Sequence, residues 1–292
     1  MIEKIENKIR FGPSGNCQRF YDEGYKHTYQ AAQWLKKLDL NAFEYSFGRG
    51  VNIGEDTAKV IAKHMGECDI EVSVHAPYYI NLANPEPEMI AKSFDYVLNS
   101  IKAVKHFSGK RVVLHSGVQG KEKDRDVPVD RVVQNFRKLM EYLDLNTDGD
   151  FILCPETMGK YSQIGNYQEI VSLCKIDRRI IPCLDFGHMN CTLQGQLQKV
   201  EDFKAILNYC IEHLGRDKMQ NVHVHFSQIQ YGKAGEIRHL TFEDKVFGPS
   251  YKLFIEAIID CKLSPFVIVE SNGTQADDAF TMSQYFKTLV RL

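Results

Sequence analysis

Eight short apolar runs punctuate the chain, each of a length suited to a strand: IRFGP (9–13), AFEYSF (42–47), EVSVHAP (71–77), RVVLHSG (111–117), DFILCPET (150–157), IIPCLDFGH (180–188), NVHVHF (221–226) and PFVIVES (265–271). Between them lie longer stretches such as TYQAAQWLKKLDL, EMIAKSFDYVLNSIKAVKHF and VDRVVQNFRKLMEYLDL. Their apolar residues recur every three or four positions, as a helix with one buried face requires. Strand and helix in alternation predict an α/β fold with a parallel sheet, and eight repeats favour closure into a (β/α)8 barrel, the TIM barrel, over an open sheet. No Pro/Ser-rich linker, low-complexity stretch or shift of composition interrupts the pattern, so residues 1–292 are read as one barrel domain.

The polar residues that end these runs are the informative ones: His75, His115, Glu156, Asp185 with His188, His225 and Glu270. In a (β/α)8 barrel the C-terminal strand ends form the mouth where active sites are built. A lone strand-end histidine is ordinarily a hydrogen-bonded structural residue. Six strands ending in imidazole or carboxylate are another matter, because together they gather a charge cluster that is costly to desolvate. A divalent metal is the simplest compensation. With no cysteine at a strand end except Cys154, two residues before Glu156, the set suits zinc, manganese or iron rather than a thiolate site. His223 and His225 share one face of their strand; His225, nearer the mouth, is the expected ligand, with His223 in the interior behind it. His27, His64, His106 and His213 fall on expected helices or helix ends, where solvated or capping roles are the default. His239 stands beyond the seventh strand, where a loop folding over the mouth would bring it in.

Composition adds the setting. The formal charge is -2, from 36 basic and 38 acidic side chains, so the molecule as a whole has no bias toward polyanions and any nucleic-acid contact must be local. The eight cysteines (17, 68, 154, 174, 183, 191, 210 and 261) form no CxxC pair and are expected to be reduced thiols of a cytoplasmic protein. The opening MIEKIENKIR lacks the apolar core of a signal peptide, and no run approaches the roughly 20 apolar residues that span a bilayer, so no membrane partner is expected.

The segments VHAPYYINLAN (74–84), VVLHSG (112–117), PET (155–157), CLDFGH (183–188), HF (225–226) and VES (269–271) resemble the endonuclease IV family of DNA-repair enzymes, a branch of the xylose isomerase-like TIM barrels. The likeness holds in order and spacing over nearly the whole chain, and the HxxYxINL pattern within 75–82 is its most specific piece. It implies a site of two to three zinc ions, with manganese or iron as alternatives, that hydrolyses the phosphodiester 5′ to an abasic deoxyribose in double-stranded DNA. It implies His75, His115 and Glu156 around a first metal, and Glu156, Asp185, His225 and Glu270 around a second, with Glu156 as the bridge. His188 and His239 would belong to a third metal, and Glu156 and Glu270 would be the catalytic carboxylates. Tyr78, Tyr79 and Arg49 match the positions with which the family opens the minor groove and flips the damaged nucleotide. No obligate protein partner is implied.

Two places depart from the family. An aspartate two residues before the third-metal histidine is replaced by Ile237, with Glu236 one position away, where a shifted loop would let it substitute. The first strand, ending in His-Val-Ser in the family, here reads Gly12-Pro13-Ser14. Two other functions compete: a one-metal sugar isomerase or epimerase using Glu156, Asp185, His225 and Glu270, and a metal-stabilised module that binds DNA without cutting it. The tetrad is common to the nuclease and the isomerase. The additional histidines and the tandem tyrosines favour the nuclease.

Overall fold

The computed structural model describes residues 9–290. Eight strands form a barrel wall: β1 (Arg10–Pro13), β2 (Ala42–Ser46), β3 (Glu71–His75), β4 (Arg111–Leu114), β5 (Ile152–Pro155), β6 (Cys183–Asp185), β7 (His223–Phe226) and β8 (Phe266–Val269). They pair in parallel as two arcs, β2-β3-β4-β5 and β1-β8-β7-β6. Parallel bridges from Ser14 to Glu44 and from Glu156 to Cys183 join the arcs at both seams. The fold is therefore the (β/α)8 barrel that the eight apolar runs anticipate.

Outer helices pack on this wall through the predicted faces. The helix Pro87–His106 buries Val97, Leu98, Ile101 and Val104, and the helix Asp126–Asn146 buries Val132, Phe136, Leu139 and Leu143. Alternation along each strand divides the two sides: Phe43 of β2 joins the core under the helices, whereas Ala42 packs inside the barrel with Phe266 and Ile268. Val113, Cys154, Ile181 and Cys183 fill another part of the interior. All eight cysteines are buried free thiols.

The strands are shorter than the runs that announced them. RVVLHSG leaves the barrel wall at Leu114, its Gly117 pairing instead with Ile164 in a short antiparallel ladder above it, and IIP contributes only an isolated bridge from Ile180 to Leu153 before β6 begins at Cys183. The runs extend past the wall because mouth residues are buried by the loops above them, which preserves the apolar pattern beyond the parallel pairing. At the first strand the family departure has a steric reason. A Cβ on Gly12 would lie 1.8 Å from the Ala42 carbonyl oxygen, so β1 approaches β2 too closely for an imidazole there.

Among the described residues no helix is long and apolar enough to cross a membrane. The opening residues 1–8, read above for a targeting signal, lie outside the described residues.

Candidate metal centre

The strand-end residues converge on one mouth. Glu156, just past β5, lies at the centre: His75 Nε2 is 3.1 Å and His115 Nε2 3.2 Å from its Oε2, while His225 Nδ1 is 3.1 Å and His188 Nδ1 3.3 Å from its Oε1. His225 Nδ1 also lies 3.6 Å from Glu270 Oε2. The ligand atoms of His75, His115 and Glu156 fall within 4.8 Å of one another, as do those of Glu156, Asp185, His225 and Glu270, so Glu156 belongs to both groups. Asp185 and His188 are three apart because Asp185 caps the short helix Phe186–Thr192: its carboxylate accepts the His188 amide at 2.7 Å.

Hydrogen bonds fix which ring nitrogen each imidazole presents. A carbonyl can only accept, so a ring nitrogen bonded to one carries a proton, and in the neutral ring that ligation requires the other keeps the lone pair. His75 Nδ1 donates to the Ala76 carbonyl at 2.8 Å, His188 Nδ1 to that of Thr157 at 3.0 Å, and His239 Nδ1 to that of Glu270 at 3.1 Å. In all three Nε2 is left for the cluster. His225 is reversed. Its Nδ1 faces Glu156 and Glu270, and its Nε2 contacts Glu44 Oε1 at 3.0 Å.

The charges ask for cations. Glu156 and Asp185 are both buried, and Asp185 Oδ2 makes no hydrogen bond. Burial raises the Asp185 carboxyl, and although His188 lowers it, Glu156 and Glu270 push it further up. Burial also opposes ionisation of Glu156, but His225, His115 and His188 outweigh it and hold the carboxyl well below the usual range. Without metal the imidazoles supply the compensation. Burial alone would lower His75 and His188, yet Glu156 raises His75 to about 9, and Asp185 with Glu156 raises His188 to about 10. A buried carboxylate oxygen without a donor, among neutral-capable imidazoles whose lone pairs face inward, is a donor set that fits divalent transition metals.

A third group forms beside these two. His188, Glu236 and His239 bring ligand atoms within 4.8 Å of one another, with Glu236 Oε2 3.7 Å from His188 Nε2 and Glu236 Oε1 3.8 Å from His239 Nε2. The antiparallel hairpin Ile229–Gly232/Gly235–His239 explains how Glu236 arrives there. Gln230 pairs with Arg238 and Tyr231 with Glu236, so Ile237 is an extra, bulged residue. The bulge offsets the period of two and sets Glu236 on the face of His239, while Ile237 is 58% exposed. The loop after β5 presses on the same group: a Cβ on Gly159 would lie 2.7 Å from His188 Cδ2 and 2.9 Å from Glu236 Cβ, and the Gly159 carbonyl accepts the Glu236 amide at 2.8 Å.

The mouth opens as a cleft of about 350 Å³ lined by His75, His115, Glu156, His188, His239 and Glu270, with Tyr78 at its edge. Tyr78 and Tyr79 are half-exposed, their ring centroids 4.5 Å apart and their hydroxyls hydrogen-bonded at 3.3 Å. The Tyr79 hydroxyl and the exposed Arg49 guanidinium lower the Tyr78 phenol. Three features escaped the sequence reading. Lys160 and Gln163 also line the cleft, and Glu44, buried inside β2, reaches His225 from below. The glutamate in AFEYSF carries one signal, its inward place in an otherwise apolar strand, but its partners lie far along the chain.

The family model of the xylose isomerase-like TIM barrel matches residues 32–285. An uncharacterised protein of Methanocaldococcus jannaschii is 35% identical, covering 96% of this chain and 98% of that protein. A probable endonuclease 4 of Malacoplasma penetrans is 33% identical over 56% of this chain; the alignment spans 60% of that relative's length. Among solved structures, endonuclease IV of Thermus thermophilus superposes with a TM-score of 0.67 at 15% identity, covering 97% of this chain and 99% of that one. A D-psicose 3-epimerase gives 0.62 at 14%, covering 92% of each. The structural likenesses establish the fold, and the sequence match adds endonuclease 4 homologues, so the chain belongs to the xylose isomerase-like TIM barrel family and has endonuclease IV-type proteins among its relatives.

Proposed function

We propose that this protein is a metal-dependent endodeoxyribonuclease that hydrolyses the phosphodiester 5′ to abasic sites in double-stranded DNA, acting as a single-domain cytoplasmic enzyme. The observation that carries the reading is the third group, His188, Glu236 and His239, beside the two groups that share Glu156. Three adjoining sets of ligands suit several ions. A one-metal sugar epimerase uses only the tetrad Glu156, Asp185, His225 and Glu270.

His75, His115 and Glu156 would hold one ion, and Glu156, Asp185, His225 and Glu270 a second. His188, Glu236 and His239 would hold a third, with Glu236 in the role of the family's aspartate. Bound there, such ions supply a nucleophilic hydroxide near neutral pH and offset negative charge on the phosphate. The chain supplies the rest. Glu156 keeps the first two positions in register, Asp185 and Glu270 orient the second, and the carbonyls of Ala76, Thr157 and Glu270 hold three imidazoles in the tautomer that presents Nε2. Tyr78 and Tyr79 offer an aromatic edge beside the cleft, suited to stacking against bases next to an extruded nucleotide, and Arg49 beside them would neutralise a backbone phosphate.

The purified protein should nick a duplex 5′ to an abasic-site analogue without added magnesium, leave the intact duplex whole, lose activity to a zinc chelator and regain it with zinc. Epimerisation of a ketose without nicking would replace this reading with the isomerase, to which the superposition on D-psicose 3-epimerase lends support. Retardation of the duplex without incision would favour the non-catalytic module.

A further inference from the structure

The barrel interior beneath the metal centre is polar where apolar packing is the norm. Glu44, His223 and His225 are all fully buried. Glu44 Oε2 accepts the Ser73 hydroxyl at 2.8 Å and lies 3.2 Å from His223 Nε2, while its Oε1 lies 3.0 Å from His225 Nε2. The carboxylate thus lies between two imidazoles of β7, reaching from the opposite arc of the barrel at ion-pair distance though not in aligned hydrogen-bond geometry, with Ser73 of the neighbouring strand steadying it.

Glu44 touches the cluster through one residue only, and that residue is the exception among the oriented histidines. His75, His188 and His239 have their outer nitrogen bonded to a backbone carbonyl, joined at His239 by the Ser227 hydroxyl at 2.9 Å, and none of them relies on a carboxylate for this. His225 has no such carbonyl. Its outer nitrogen meets Glu44, and only if that nitrogen carries the proton does Nδ1 offer a lone pair toward Glu156, Asp185 and Glu270. Burying a carboxylate with two imidazoles seldom stabilises a fold relative to well-packed apolar residues, so stability alone does not account for the group.

We infer that Glu44 is a positioning residue: with His223 and Ser73 holding it, its carboxylate fixes the tautomer and ring angle of His225 so that Nδ1 faces the tetrad's ion. This rests on the metal-centre reading above, and it adds a carboxylate–histidine pair from a position in the middle of β2, outside the mouth.

The test separates positioning from packing. Glu44→Leu alone leaves His223 without its partner and risks misfolding, so the informative protein is the double variant Glu44→Leu/His223→Leu, with Glu44→Gln, which keeps an acceptor, as the conservative partner. Zinc affinity is measured by competition with a chromophoric chelator, alongside thermal unfolding of the metal-free proteins. The double variant should melt at or above the wild-type temperature yet bind its tetrad ion about 10–100-fold more weakly, the range typical of lost outer-shell partners, with Glu44→Gln recovering much of that loss. ¹⁵N spectra of the metal-free wild type at alkaline pH should show His225 protonated at Nε2. Wild-type zinc affinity in a folded double variant, or a His225 protonated at Nδ1, overturns the inference while leaving the metal centre standing. A wild-type protein that takes up no metal overturns both.

Discussion

At the floor of the barrel, Arg10 lies 3.4 Å from Asp69 and 3.0 Å from Glu71, and Arg111 lies 3.6 Å from Glu71 with its guanidinium over the Phe266 ring. At the mouth, among the described residues, the charged contacts of Glu156, Asp185, Glu236 and Glu270 are all with imidazoles. Guanidinium groups hold their charge at any accessible pH, so the floor is balanced by the chain itself. Imidazoles neutralise carboxylates only while protonated, and a proton can be exchanged for a metal ion. The same wall therefore carries a permanent structural pairing at one end and an exchangeable one at the other.

The largest effect should come from the residue on which the mouth converges. Glu156→Gln removes charge from a ligand common to two groups, and incision should fall by more than about 100-fold, beyond the range for outer-shell partners. Metal content should drop with it while the far-ultraviolet circular dichroism is unchanged; normal cutting by this variant would refute the bridging role.

Next is the third group. Glu236→Gln should cost one equivalent of metal and about 10–100-fold in incision, whereas Ile237→Asp, restoring the family's residue, should change neither, because the bulge turns position 237 to solvent. Elemental analysis of both variants decides it. A gain of metal in Ile237→Asp would mean the hairpin is registered differently.

The exchange of protons for metal is directly measurable. Without metal, Glu156 raises His75 to about 9 and Asp185 with Glu156 raises His188 to about 10, so both rings are expected to be protonated at neutral pH. Ligation requires the neutral ring. Zinc uptake at pH 7 should therefore release about two protons from these residues, seen as a dependence of the binding heat on buffer ionisation enthalpy, and the release should shrink as pH rises past 9. The smallest functional effect belongs to the floor. Arg111→Met breaks the Glu71 contact and the bond from Nη1 to the Asn221 carbonyl, and should lower stability by about 1–3 kcal/mol with no change in metal content.

This contrast also marks what was legible in the sequence. The wall could be read from apolar runs because period-two burial and helical amphipathicity are local properties, and the mouth because histidine and carboxylate ended those runs. What escaped depends on pairing across the chain. Glu236 is legible as a substitute, but the means is not: it takes the face of His239 through a bulge set by the partner strand, where counting by twos back from His239 assigns that face to Ile237. Glu44 has its partners about 180 residues away, and from AFEYSF alone nothing tells which imidazoles lie across the barrel. The polar floor was also unread: Arg10 and Arg111 begin their strands, where a solvated charge is the ordinary expectation.

The claim on which the rest depends is that the mouth holds more than one ion. Elemental analysis of protein purified without chelator, scaled to chain concentration, tests it most directly. About two to three equivalents of zinc or a similar transition metal are expected, from the three groups of ligands that line the mouth. A single equivalent that is lost on Glu270→Gln but unchanged by Glu236→Gln would contradict the multi-metal centre and return the barrel to one-metal sugar chemistry.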